Sequence, residues 1–121
     1  MTDTVNLLGR ILLSAIFIAA GVQKIVGYDG PLAFMAQYGV PGFMLPGVIA
    51  LELLGGVAVL VGFGARWVAL ALAVFTVIAA MVFHSNFTEP IQVAMFMKNL
   101  AIAGGLLLLF AHGPGRYAVR D

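Results

Sequence analysis

Apolar residues run in long, nearly unbroken stretches along this chain, and the few charged residues fall between the stretches or near their ends. Nothing alternates with the period of two that a half-buried strand requires, so strands are not expected. The gaps between charges leave four apolar segments, roughly Val5 to Val26, Leu45 to Phe63, Arg66 to Phe83 and Ile91 to Ala111, each about 18 to 22 residues long. Helices of that length cross the hydrocarbon core of a bilayer. The pattern predicts an all-α integral membrane protein, a four-transmembrane-helix bundle in which residues 1–121 make one domain.

The connections carry their own signals. Gly62-Phe63-Gly64-Ala65-Arg66 is a tight glycine-rich turn, expected to fold the second and third spans into an antiparallel hairpin. Asp29 to Pro46 is longer. Pro31 as a first helical residue, Leu32, Phe34, Met35 and Tyr38 as an apolar or amphipathic set, and Gly39 before Pro41 as a stop read as a short helix between the first and second spans. At about two turns it cannot span, and it is expected on the outer surface or dipping into it. Arg10 and Arg66 each open a span and Gly-Gly pairs recur at 55–56 and 104–105, a faint two-plus-two echo.

Composition fixes the class and removes several functions. The chain is 63% hydrophobic and 9% charged, with a mean hydropathy of +1.11, far from soluble domains. A net charge of +1 offers no basic face for nucleic acid, so no nucleic-acid partner is expected. With no cysteine there is neither a disulfide nor a thiolate metal site. Ala19-Ala20-Gly21 resembles a signal cleavage site, but no basic segment precedes it and Arg10 lies within the span, so the segment is expected to be retained. Arg10, Arg66, Arg116 and Arg120 fall on the side of the termini, against Lys24 and Lys98 on the other, which places both termini in the cytoplasm by the positive-inside bias. Trp67 and Tyr117 then sit near the inner interface.

Glu52 interrupts the uncharged run from Pro46 to Phe63. A carboxylate at bilayer depth is costly unless it is paired, protonated or facing a wet cavity, so it marks an ion pair or a working site. Glu52, Gly55, Gly56 and Val59 share one helical face, as do Phe17, Gly21 and Lys24 in the first span and Lys98, Ala101, Ile102 and Gly105 in the fourth. The acid lies about 9 to 10 Å from the outer end of its helix. Lys24 and Lys98 are placed near the outer ends of theirs, with His84 closing the third span, and Gln23 and Asn99 add amides. Glu52, Lys24, Lys98, His84 and Asn99 therefore form a candidate polar site in the outer half, with almost nothing polar expected in the inner half. The plainer reading of Glu52, an ion pair with Lys24 or Lys98 that fixes helix register, is preferred over a chemical role. A His at a helix end such as His84 is read first as an interfacial residue.

Segments spread over nearly the whole chain carry a family resemblance: Gly9-Arg10, Ala20-Gly21 and Lys24-Ile25; Tyr38-Gly39-Val40-Pro41-Gly42-Phe43; Leu51-Glu52-Leu53-Leu54-Gly55-Gly56; Gly62 with Arg66; His84-Ser85-Asn86-Phe87; Phe96-Met97-Lys98-Asn99-Leu100; and Gly113-Pro114-Gly115. Together they make the chain resemble the DoxX family of small four-helix membrane proteins, in particular its bacterial inner-membrane branch. The resemblance implies the fold, the bacterial cytoplasmic membrane and an association with membrane oxidoreductases, since the family is named for subunits linked to thiosulfate:quinone oxidoreduction. It carries no catalytic residue onto this chain.

Three functions fit these residues. In the first, the chain is a subunit or accessory of an oxidoreductase assembly; no cofactor is evident in the sequence and a quinone is the candidate, with His84 or Lys98 donating to a quinone carbonyl and Glu52 relaying protons. In the second, it is a non-catalytic scaffold or assembly factor that pairs with a partner membrane protein or with itself. Transport of a small solute or proton ranks last, because only Ser14 and Thr76 are polar at mid-depth and both are expected to bond to their own backbone. His84 and His112 fall at opposite ends of the bundle, about 30 Å apart, and cannot share one haem. No His and carboxylate cluster has metal-site spacing. Met35, Met95 and Met97 are read as packing residues. Asn86-Phe87-Thr88 matches the N-glycosylation pattern only incidentally.

Overall fold

The computed structural model describes residues 2–119. Arg120, counted above with the basic residues on the side of the termini, lies outside them. The elements are α1 (Thr2–Val26), α2 (Asp29–Gln37), a 3-10 turn (Gly42–Met44), α3 (Leu45–Val61), α4 (Ala65–Phe83) and α5 (Pro90–His112), with no strand among the described residues. Four of them, α1, α3 joined to its 3-10 turn, α4 and α5, are long and apolar enough to cross a membrane. The fold is thus an all-α four-helix membrane bundle with a short extra helix after the first span.

The helix boundaries follow from local chemistry. Pro46 and Pro90 open α3 and α5, where a missing N–H costs nothing. Gly39 ends α2 with φ +73°, and Val40 N donates to Met35 O at 3.0 Å, the 6→1 bond of a Schellman cap. Gly62 ends α3 in the same way, with φ +79° and Phe63 N donating to Ala58 O at 2.9 Å. A side chain at Gly62 would be strained in φ and would also meet the Arg10 guanidinium at 2.7 Å. α2 starts two residues earlier than the Pro31 signal places it, because a helix tolerates proline throughout its first turn, where N–H groups lack helical partners.

α1 packs along α3 and α4 along α5, and these two pairs carry most of the tertiary contact. Close approach in the first pair comes from small residues. A Cβ on Gly21 would lie 2.6 Å from Leu53 Cγ, and one on Gly56 would lie 2.8 Å from Ile18 Cγ1. The expected α3–α4 hairpin is present through its tight turn, but its arms pack less against each other than each does against its pair partner. Each half of the chain therefore makes one tight pair, the architecture behind the two-plus-two echo.

The core is off-centre. Its cluster of Phe17, Val59, Ala69, Leu72, Ala73, Ala103, Leu106 and Leu109 lies from mid-bundle toward the end that holds the chain termini. At the opposite end, under α2, the pairs separate. Among the described residues thirty large apolar side chains stay exposed, as a surface in contact with lipid requires.

Candidate functional site

Between the two pairs, at the α2 end, lies a cavity of about 1210 Å³. That exceeds the roughly 300–1,000 Å³ usual for small-molecule sites. Its walls are mostly apolar, with the aromatic residues Phe34, Phe43 and Phe83 and Met35 among them. Every one of the five candidate residues, Glu52, Lys24, Lys98, His84 and Asn99, lines it.

Helix geometry puts the polar groups in a layer. Glu52 is seven residues below the start of α3, and Thr76 seven below the end of α4, each about 10 Å in. Lys98 and Asn99 lie eight and nine residues into α5, about 12 to 14 Å from Pro90. The expected position of Lys98 near a helix end is thus corrected: α5 begins at Pro90, within a residue of the expected start, and the lysine is more than two turns inside. Lys24, two residues from the end of α1, reaches down to this layer.

Of the two lysines open to Glu52, Lys24 makes the pair, with Nζ 2.9 Å from Oε1. Glu52 is buried at 7% side-chain exposure and Lys24 keeps 28%. That oxygen has no aligned hydrogen-bond donor, so the contact is chiefly one of charge. Asn99 is buried and donates from Nδ2 to Thr76 O at 3.2 Å, tying α5 to α4. Thr76 bonds to Leu72 O at 2.6 Å and Ser14 to Ile11 O at 3.0 Å, both within their own helices. His84 Nδ1 lies 3.0 Å from Gln92 Oε1, which steadies the ring at the cavity mouth.

Two expectations about faces fare differently. Glu52, Gly55, Gly56 and Val59 are all buried together on α3. On α5 the buried set is Asn99, Ala103, Leu106 and Leu109, whereas Lys98 and Ala101 are exposed. The α5 stripe is rotated by about one residue because the helix packs principally on α4, with Gly105 turned to Leu13 of α1. All three charges thus line one cavity, where Lys24 and Glu52 pair and Lys98 has no carboxylate partner among the described residues.

The opposite end holds a polar cluster that sequence reasoning missed. Arg10 is 1% exposed and donates from Nη1 to Val59 O (3.2 Å) and Leu60 O (3.1 Å), and from Nη2 to Tyr117 O. Asn6 donates to Gly113 O at 3.3 Å, and Arg116 N to Asp3 Oδ1 at 3.0 Å. In the second pair Arg66 Nε donates to Phe110 O at 2.8 Å. Each pair thus has an arginine from its first helix satisfying carbonyls at the C-terminal end of its second, where helical partners run out. Arg10 within an apolar span was the signal, the same one that singles out Glu52. Among the described residues no group of His, Cys, Asp or Glu is placed to hold a metal ion.

The chain is similar to several known proteins, two of them named as inner membrane proteins. Inner membrane protein YqjF of Escherichia coli is 52% identical over 98% of this chain and 92% of that protein. Inner membrane protein YphA of the same organism is 34% identical over 90% and 83%. A protein of Bacillus subtilis named putative oxidoreductase CatD is 37% identical over 88% and 75%. No solved structure matches. Residues 5–85 match the DoxX family pattern, and with relatives of this closeness along almost its full length, the chain belongs to the DoxX family.

Proposed function

We propose that this protein is a membrane subunit or accessory of an oxidoreductase assembly in the bacterial cytoplasmic membrane, and that a quinone occupies its cavity. The observation that carries this reading is an apolar, lipid-level cavity with a polar layer at one depth. An isoprenoid tail needs the apolar walls, and a ring carbonyl needs a donor. The name of the Bacillus subtilis relative adds support for an oxidoreductase setting. The Lys24–Glu52 pair then serves first to fix α1 against α3 beside the ring. The test is Glu52→Gln in protein purified with its native lipid. A direct role in binding lowers retained quinone at unchanged yield, and a purely structural role lowers yield and melting temperature. Unaltered quinone content in a stably folded variant removes Glu52 from the site.

Both termini are proposed to face the cytoplasm, on the bias of Arg10, Arg66 and Arg116. Because the chain has no cysteine, single cysteines at Thr88 and Arg116 test this. An impermeant maleimide should label the first in intact cells and leave the second unlabelled.

A second reading, a scaffold for a partner membrane protein or another copy of itself, is supported by small residues left on the lipid side. Ala94, Ala101 and Gly104 are exposed on α5, and Ala50, Ala58 and Ala71 line a shallow groove between α3 and α4. Crosslinking in native membranes that recovers one dominant protein supports this reading.

A further inference from the structure

Four polar side chains that reach the cavity are already engaged. Lys24 and Glu52 neutralise one another, Asn99 Nδ2 is held by Thr76 O, and His84 Nδ1 is held by Gln92. Lys98 and Gln23 line the cavity with no ion-pair or side-chain hydrogen-bond partner among the described residues, and of the two Lys98 alone is a cation. It lies more than two turns below Pro90, too deep for its four-carbon stem to bring the ammonium level with the helix end. The apolar wall thus carries an uncompensated positive charge, which is costly at bilayer depth unless an oxygen faces it.

The position of Lys98 also marks a way in. α1 and α5 make few contacts, and those at Leu13–Gly105 and Asn6–Gly113 belong to the closed half of the bundle. Toward α2 the cavity reaches this seam, lined by Ile16, Ala20 and Gln23 from α1 and by Lys98 and Ile102 from α5. Ile16 and Lys98 are exposed there. On the α2 side, Phe34 and Phe83 line the cavity and pack with Tyr38 in an aromatic triad, centroids 5.1 to 5.2 Å apart.

We propose that Lys98 is the headgroup anchor of this site: a quinone slides in from the bilayer between α1 and α5, and one ring oxygen takes a hydrogen bond from the Lys98 ammonium while the tail stays in the seam. The assignment rests on the reading of the cavity as a quinone site and selects Lys98 over His84 as its donor. Lysine suits the task because it is a compact donor, and a charge-assisted bond in a low-dielectric cavity is strong.

The experiment uses the full chain in nanodiscs of phosphatidylcholine doped with ubiquinone or menaquinone, with retained quinone measured after washing. Lys98→Met should weaken retention about tenfold or more, the loss of one charge-assisted bond. Lys98→Arg should recover most of it, which a change in folding alone would not. Alkylating a single cysteine at Ala20, on the seam, should block loading of quinone into otherwise folded protein. Equal retention by wild type and Lys98→Met, with alkylation at Ala20 still blocking, overturns Lys98 as anchor and leaves the cavity reading standing. A wild type that retains no quinone, or only fatty acid or phospholipid, overturns both.

Discussion

Arg10 and Glu52 pose the same physical problem at opposite ends of the bundle, and the chain answers it in two ways. Glu52 is matched by an opposite charge 2.9 Å away. Arg10 is matched by carbonyl oxygens, its planar fork serving Val59 and Leu60 at the end of α3 and Tyr117 in the tail. Removing the guanidinium leaves those carbonyls without donors in a dry place. Arg10→Met should therefore destabilise the protein by about 2–4 kcal/mol and free the tail after His112 for proteolysis, read as melting temperature and as limited digestion in detergent. Arg10→Lys should rescue little, because one ammonium cannot reproduce the fork. The value of Arg10 was open to sequence reasoning, since it interrupts a span just as Glu52 does. Its position near the terminus fits topology equally well, and only the fold shows that the chain returns to it from residue 117.

At the scale of elements, span number and position were legible because each span is a long apolar run closed by glycine, proline or charge. Two things were not. The facing of α5 depends on which neighbour it packs against, and its spread of apolar residues all round leaves Lys98 or Asn99 equally free to turn inward. The hairpin of α3 and α4 was legible, but not that each arm packs more closely on another helix, because a tight turn fixes proximity at one end of two helices and nothing about their other end. α2 shows the complementary case: short and amphipathic, it is held by buried Met35 and by the Phe34–Tyr38–Phe83 aromatic triad. With so little packing it should open locally before any span does. Hydrogen exchange in residues 29–37 should be faster than in α1, α3, α4 or α5. Phe83→Ala should speed it further, through loss of about 0.5–1.5 kcal/mol of ring stacking, with the α4–α5 pair unchanged.

The molecule as a whole divides its labour by depth. In a bilayer an apolar side chain gains little by moving from lipid to protein, so the helices are held together by close packing and by the polar contacts just described. Packing is dense where Leu72, Leu106 and Val59 are fully buried, and it is absent where the cavity lies. The closed half can therefore supply the rigidity that lets the other half stay hollow, and substitutions should reveal this as an asymmetry. Leu106→Ala, in the closed half, should cost about 2 kcal/mol, toward the low end of core truncations because the transfer contribution is small in lipid. Ala79→Leu, which adds volume to the cavity wall, should leave the melting temperature equal or higher, since the added side chain has cavity space to fill. The same substitution should lower retained quinone. Thermal unfolding of both variants in one detergent, alongside quinone content, checks the pair together. A loss of stability in Ala79→Leu as large as in Leu106→Ala would mean that the cavity end is packed as tightly as the core, and a ligand site there would have to be abandoned.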